Sequence, residues 1–109
     1  MVIGVAGPYS AKTEEQKQKN LNAINCAAAK LLEMGHIPLI GINAALPVVN
    51  QSNTVDKYKA IMDISLTIMD RCEALLLLAE SPGANTERDL ILSKGLPVYY
   101  NISDVPCCE

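Results

Sequence analysis

The chain has 109 residues, of which 50% are hydrophobic, and a formal net charge of −3. This length and composition suffice for one hydrophobic core, so we expect a single domain over residues 1–109. The mildly acidic balance, without a cluster of Lys and Arg, argues against nucleic acid or an anionic membrane as the main partner and favours a small molecule.

The first part of the chain predicts a strand and a long helix. Residues 2–6 form a short apolar run before Gly7, which indicates a buried strand that ends in a turn. Thr13 and Gln16 have the spacing of a capping box, and the helical pattern after them continues to Gly35. The apolar stripe of this helix comprises Leu21, Ile24, Ala27, Ala28, Leu31 and Leu32.

The middle of the chain predicts a strand, a loop and a second helix. Residues 37–40 predict a second strand. Residues 41–53 show no clear period of apolar residues and are predicted to form a loop. A helix is expected over residues 54–71. Its inward side should carry Tyr58, Ile61, Met62, Ser65, Leu66 and Met69. His36 follows a helix-ending glycine and is expected to be exposed or hydrogen-bonded within its turn.

The last part of the chain repeats the pattern. Residues 73–79 predict a third strand, and Ser81 fits the N-cap of a helix with proline in its first position. This helix should end at Gly95, where glycine supplies a left-handed cap. Residues 96–100 predict the fourth strand, followed by a short tail over residues 101–109.

Strands that are separated by helices require right-handed crossovers and a parallel sheet. We therefore predict a three-layer, Rossmann-like α/β domain with four to five strands in the order 2-1-3-4. In this order Ala6 and Ala79 end neighbouring strands. The turn 7–10 and the segment 81–87 then face each other across one crevice, at the edge where open α/β folds bind ligands.

Glu87 is the candidate for chemistry in this crevice. The pattern places it in the first turn of the last helix, where acids are common because they oppose the helix dipole, for roughly 0.3–1 kcal/mol. Its position alone favours that structural role. Residues 7–13 superficially resemble a P-loop but are one residue short and lack the glycine before Lys12. No Gly-x-Gly-x-x-Gly occurs, so a dinucleotide cofactor is not supported, and we expect no cofactor.

The cysteines and the N-terminus indicate a cytoplasmic protein. The four cysteines form no Cys-x-x-Cys pair and there is one histidine, which argues against a metal site or a disulfide framework. Cys26 and Cys72 are expected in the core, and Cys107 and Cys108 have no assigned role. The N-terminal apolar run lacks a basic segment before it, and no stretch approaches the ~18 residues that a membrane span needs.

Several segments of this chain occur together in a known family. They are Val5-Ala6-Gly7-Pro8-Tyr9-Ser10, Asn20, Gly35-His36-x-Pro38, Cys72-Glu73-Ala74-Leu75-Leu76-Leu77 and Ser81-x-Gly83-x-x-x-Glu87. From Val2 to Pro97 the chain thus resembles the nucleoside 2-deoxyribosyltransferase-like family, which includes deoxyribonucleoside 5′-monophosphate N-glycosidases. The resemblance implies a flavodoxin-like fold, a nucleoside or nucleotide as ligand, and homodimers or larger homo-oligomers.

The resemblance also implies the chemistry. The family's nucleophile, which attacks the anomeric carbon of the sugar, matches Glu87. Retaining glycosyl transfer requires the ionised carboxylate, which a helix N-terminus favours. Tyr9 is a candidate for packing against the sugar or base, or equally for a structural turn residue. The substrate-binding residues expected in full are Gly7, Tyr9, Ser10, Asn20, Ser65, Ser81, Gly83 and Asn85.

One position departs from the family pattern. The family usually has an aspartate eight residues before the acid that opens the third strand, and counting back from Glu73 gives Ser65. A hydroxyl cannot protonate a leaving base as a carboxyl group can. Asp63 and Asp70 do not replace it, because they lie about 200° and 140° around the helix from Ser65. Two classes follow, an N-glycosidase or deoxyribosyltransferase and a nucleotide-binding or sensing module without efficient catalysis.

The residue type at position 81 predicts whether the substrate carries a phosphate at its 5′ end. In the deoxyribosyltransferase branch of the family the matching residue is usually an aspartate, and in the nucleotide-hydrolysing branch it is a serine. A carboxylate would repel a phosphate, whereas a hydroxyl beside free helix N–H groups donates to it. We therefore expect a preference for a nucleoside 5′-monophosphate, with Ser10 and Lys12 as further candidate contacts.

Overall fold

Four parallel strands form the central sheet of the computed structural model, which describes residues 1–107. The sheet has the order β2-β1-β3-β4, as predicted, and helices flank it in a flavodoxin-like, three-layer arrangement. The strands are β1 (Val2–Ala6), β2 (Ile37–Leu39), β3 (Ala74–Leu77) and β4 (Val98–Tyr99).

The register of the two central strands decides where a ligand can bind. Ala6 pairs with Leu77, and the Leu78 N–H donates to the Ala6 carbonyl at 2.9 Å. At the other end, the Val2 N–H donates to the Glu73 carboxylate at 2.9 Å. The turns after β1 and β3 therefore leave the same edge of the sheet side by side. The third strand ends two residues before Ala79, where the sequence pattern had placed its end.

The helices pack two separate cores against the two faces of the sheet. They are α1 (Glu14–Glu33), α2 (Gly41–Gln51), α3 (Lys57–Met69) and α4 (Pro82–Ser93), with a short 3-10 helix at Ile102–Asp104. One core joins Ile24 and Leu31 of α1 to Ile3 and Leu76 of the sheet. The other core includes Met69, Leu75, Leu77 and Ile91, from α3, β3 and α4. Alternate residues of β3 thus face opposite cores, as the period of a strand requires.

The predicted helix signals at Thr13 and Ser81 are confirmed. The Thr13 hydroxyl accepts from the Gln16 N–H at 3.1 Å, and the Ser81 hydroxyl accepts from the Ala84 N–H at 3.2 Å. The second predicted helix starts later than residue 54, because the Asp56 carboxylate caps α3 by accepting from the Lys59 N–H at 3.0 Å. None of the helices within residues 1–107 is long and apolar enough to cross a membrane.

The prediction of a loop over residues 41–53 is wrong, because residues 41–51 form α2. The helix begins without a side-chain cap and contains Pro47, so no capping residue marks its start and the proline obscures its period. Its stability comes from packing instead. Ala45 and Val49 are buried, and Gly41 lets the helix approach α3 closely.

Two further predictions about single residues are corrected. Cys26 lies on the surface rather than in the core, whereas Cys72 is buried as expected. His36 is 2% exposed and is bonded far from its turn: Nδ1 lies 3.0 Å from the Met1 amino group and Nε2 lies 2.6 Å from the Pro106 carbonyl oxygen. The chain at Pro106 thus lies against this histidine. Cys107 is exposed, and Cys108 lies outside the described residues.

Candidate functional site

A crevice of about 640 Å³ lies at the carboxyl ends of β1 and β3. The turn after β1 and the start of α4 form its floor, so these two segments line one crevice, as predicted. Helices α2 and α3 form its wall: the inward face of α3 was predicted from the sequence, whereas α2 stands where a loop was predicted. Seven of the predicted site residues line the crevice: Gly7, Tyr9, Ser10, Ser65, Ser81, Gly83 and Glu87.

Asn20 and Asn85 are not among the residues that line the crevice. The Asn20 amide donates to the Tyr9 carbonyl at 3.0 Å, so it holds the turn after β1 from behind. The Asn85 side-chain oxygen lies 3.5 Å from an Arg88 nitrogen on the same helix. Asn20 therefore positions the turn that carries Tyr9, whereas within residues 1–107 the Asn85 side chain has no hydrogen bond to a residue that lines the crevice.

Glu87 lies deeper in its helix than the sequence pattern predicted. It is the sixth residue of α4, and the first turn of this helix carries no acid. The helix dipole acts within the first turn, so its N-terminus does not hold this carboxylate in the ionised form. Burial dominates instead and raises the pKa of Glu87 from 4.5 to about 7. Perturbed carboxyl groups in a crevice are candidates for acid, base or nucleophile roles.

The N-terminus of α4 offers few groups to an anion. Pro82 has no N–H, and the Ala84 N–H is already bonded to the Ser81 hydroxyl. The Gly83 N–H has no partner among the described residues. Because the Ser81 hydroxyl accepts from the backbone, its own hydrogen is free to donate to a ligand. One hydroxyl and one N–H thus face the crevice, rather than the several free N–H groups that were expected.

The wall of the crevice is mostly apolar. Ile42, Leu46 and Asn50 line it from α2, with the helical spacing of four. The residues just before them, Gly41, Ala45 and Val49, are buried. Tyr58, Ile61 and Met62 line the crevice from α3, and Tyr58 is 60% exposed. The repeat 41, 45 and 49 was visible in the sequence as a helical signal, but Pro47 obscured it.

Three charged residues at the crevice were also missed. Glu14 and Lys17 come from the first turn of α1, and their charged atoms are 3.3 Å apart. Lys57 opens α3 and forms no ion pair with the described residues. Lys12, the cation expected from the sequence, does not line the crevice. Lys17 lies between Ser10 and Asn20 in sequence, and Lys57 precedes Tyr58, but no motif marks either lysine as a site residue.

A second cavity of about 540 Å³ lies between the end of α1 and the C-terminal residues. Lys30, Glu33 and Cys107 are among its lining residues, and all three are exposed. None of the predicted site residues lies there. The crevice at Glu87 is therefore the candidate functional site.

The parallel sheet with a ligand crevice at its central carboxyl edge defines a flavodoxin-like α/β domain. Residues 1–100 match the family described as Domain of unknown function (DUF4406), and the chain belongs to this family. No curated protein matches the chain.

Proposed function

We propose that this protein cleaves the N-glycosidic bond of a nucleoside 5′-monophosphate, either by hydrolysis or by transfer of the deoxyribosyl group to a second base. Glu87 is the nucleophile on the anomeric carbon. The observation that carries this proposal is a half-buried carboxyl group, with its pKa raised to about 7, on the floor of a crevice with an apolar wall. The resemblance to the nucleoside 2-deoxyribosyltransferase-like family supports the same assignment.

The shape of the crevice suggests how such a substrate would lie. The flat face of a base would pack against Leu46, Ile61 and Met62. Tyr9 stands at the turn after β1, where its ring can pack against the sugar or the base. The 5′-phosphate would accept hydrogen bonds from Ser81 and the Gly83 N–H.

The reaction follows from the chemistry of retaining glycosidases. The ionised Glu87 attacks the anomeric carbon as the base leaves, and a covalent glycosyl ester forms. Water or a second base then displaces Glu87. Because the protonated carboxyl group is not a nucleophile, only the ionised fraction of the protein reacts.

Base release from deoxyribonucleoside 5′-monophosphates, followed by chromatography, tests the proposal. We expect turnover by the parent protein and none by Glu87→Ala or Glu87→Gln. A glycosyl adduct should appear in the intact mass of the parent only. Glu80→Gln is the matched control, because Glu80 is exposed, pairs with Arg88 and does not line the crevice. Full activity in folded Glu87→Ala would exclude this nucleophile.

A second candidate function is a nucleotide-binding or sensing module. It is favoured by Ser65, which is 2% exposed, lines the crevice and stands where the family usually has an acid. Such a module would bind a nucleotide without releasing the base. Calorimetry beside the turnover assay separates the two functions.

We further propose a homodimer or larger homo-oligomer, which sedimentation analysis would test.

A further inference from the structure

The crevice contains a carboxyl group for attack on the sugar but no second one for the base. Its lining side chains within residues 1–107 include two carboxyl groups, Glu87 and Glu14. The Glu14 side chain is 88% exposed and its Oε1 lies 3.3 Å from the Lys17 ammonium group. Glu14 is therefore open to solvent and engaged in an ion pair with Lys17, so we do not assign it to the leaving base.

The helix that faces the base also lacks an available acid. Asp63 is exposed and accepts from the Lys59 ammonium group at 2.8 Å. Asp70 is exposed at the end of α3, where its carboxylate lies 3.1 Å from the Lys94 ammonium group. Neither lines the crevice, and the buried residue on that face is Ser65.

The remaining proton-bearing side chains of the crevice are hydroxyl and ammonium groups. Ammonium groups are found at Lys17 and Lys57, and hydroxyls at Tyr9, Ser10, Tyr58, Ser65 and Ser81. Groups of these two kinds release a proton far less readily than a carboxylic acid does. They can donate hydrogen bonds to a leaving base, but they are poor general acids at neutral pH.

We propose that the base leaves from this site without protonation by a carboxylic acid, and that the protein therefore acts on nucleotides whose base is a good leaving group by its own chemistry. Such a base has an acidic N–H at the glycosidic nitrogen once it is free. This inference rests on the proposed glycosidic cleavage and specifies its substrate class. The residue that sets this specificity is Ser65. A carboxyl group at this position would protonate the base and so extend cleavage to poorer leaving groups.

The step balances without a further reactant. A Glu87 oxygen forms a bond to the anomeric carbon as the bond from that carbon to the base nitrogen breaks. The electron pair of the broken bond stays on the nitrogen, and the anionic base takes a proton from water. Water then attacks the anomeric carbon of the ester, releases the sugar phosphate and restores the Glu87 carboxylate, while its remaining proton neutralises the hydroxide left in the first step.

A leaving-group series tests the inference on the unaltered protein. The substrates are the 2′-deoxynucleoside 5′-monophosphates of 5-fluorouracil, uracil and thymine, which differ little in size but decrease in N1–H acidity. We expect kcat/KM to fall along the series, by roughly tenfold from the fluorinated base to uracil. Equal kcat/KM values would overturn the inference while leaving the proposed function intact. No turnover of the series beside base release from another deoxyribonucleoside 5′-monophosphate would overturn the inference alone. No base release from any deoxyribonucleoside 5′-monophosphate would overturn the proposed function, and the inference with it.

Two variants at one position provide a second test. Ser65→Asp supplies the missing acid, so it should raise kcat/KM for the thymine nucleotide more than for the 5-fluorouracil nucleotide. The differences in kcat/KM among the three substrates should therefore become smaller. Ser65→Asn has nearly the same size but no acidic proton, and it should retain the steep dependence on the base. A Ser65→Asp protein that folds, turns over and keeps the parent's dependence would contradict the assignment to this residue. If that variant does not fold, the parent's series alone decides the inference.

Discussion

Gly41 of α2 lies directly against Ser65 of α3: a Cβ atom at residue 41 would fall 2.7 Å from the Ser65 Cβ and 2.9 Å from its Cα. No side chain at residue 41 fits without moving one of the two helices. This approach sets the position of the α2 wall relative to the floor that carries Glu87. The contact between Gly41 and Ser65 thus affects both the stability of the fold and the shape of the crevice.

Gly41→Ala should destabilise the protein by about 1–3 kcal/mol, the usual cost of forcing a methyl group into a packed contact. The neighbour at the contact includes backbone, so relief requires α2 to shift. Urea denaturation measures the change. Ala44→Ser, at an exposed position of the same helix, is the control and should stay within about 0.5 kcal/mol of the parent. An unchanged midpoint for Gly41→Ala would contradict this account of the helix contact.

The free energy of unfolding should fall as pH rises from about 4.5 to about 7, because the pKa of Glu87 is raised from 4.5 to about 7 in the folded state. Between these values the folded protein binds more protons than the unfolded chain, so this contribution is complete below pH 4.5 and lost above pH 7. The shift corresponds to about 3 kcal/mol.

Glu87→Gln removes this titration and provides the comparison. The variant should be more stable than the parent at pH 8 and similar to it near pH 4.5, as measured by thermal or urea unfolding. Glu80→Gln, at an exposed position, should follow the parent's pH dependence. Parallel pH profiles for the parent and Glu87→Gln would show that burial does not penalise this carboxylate.

The rate of base release should rise with pH and level off above about 7, since attack requires the ionised form and burial raises the pKa of Glu87 to about 7. The profile of kcat/KM reports the free enzyme, so it is the quantity to measure. An acidic limb near the ordinary carboxyl value would mean that the nucleophile is either more hydrated than Glu87 or a different residue.

A nucleoside 5′-monophosphate should bind more tightly than its free nucleoside, by about tenfold, because hydrogen bonds to a charged group contribute roughly 1.5–3 kcal/mol. Ser81→Asp should reverse the preference, since a carboxylate repels the phosphate. Calorimetry with a matched pair of ligands measures both. Equal affinities for the two ligands would refute the proposed binding of the 5′-phosphate by Ser81 and the start of α4.

Lys57→Gln should weaken binding of the monophosphate more than binding of the nucleoside. Lys57 lines the crevice and forms no ion pair with the described residues, so its charge is available to a phosphate. Lys12→Gln is the matched control, because Lys12 is exposed and does not line the crevice. Equal losses of monophosphate affinity in both variants would contradict the prediction, because they would reflect only the lower net charge of the protein.

The sequence by itself determined the sheet order and both segments on the floor of the crevice. The reason is that these features depend on local signals: a Thr13 cap, a Ser81 cap, glycine stops, and apolar runs short enough to be strands. Once four strands alternate with helices, the handedness of crossovers leaves few topologies. That restriction alone predicts that Tyr9, Ser81 and Glu87 lie together at one crevice.

Only the tertiary structure decided the wall of the crevice and the state of its carboxyl group. Helix α2 has no capping side chain and contains Pro47, and it is helical because Ala45 and Val49 are buried and Gly41 fits against Ser65. The raised pKa of Glu87 likewise arises from burial by neighbours that are distant in sequence. Packing and desolvation are sums over such neighbours, and no local pattern contains them.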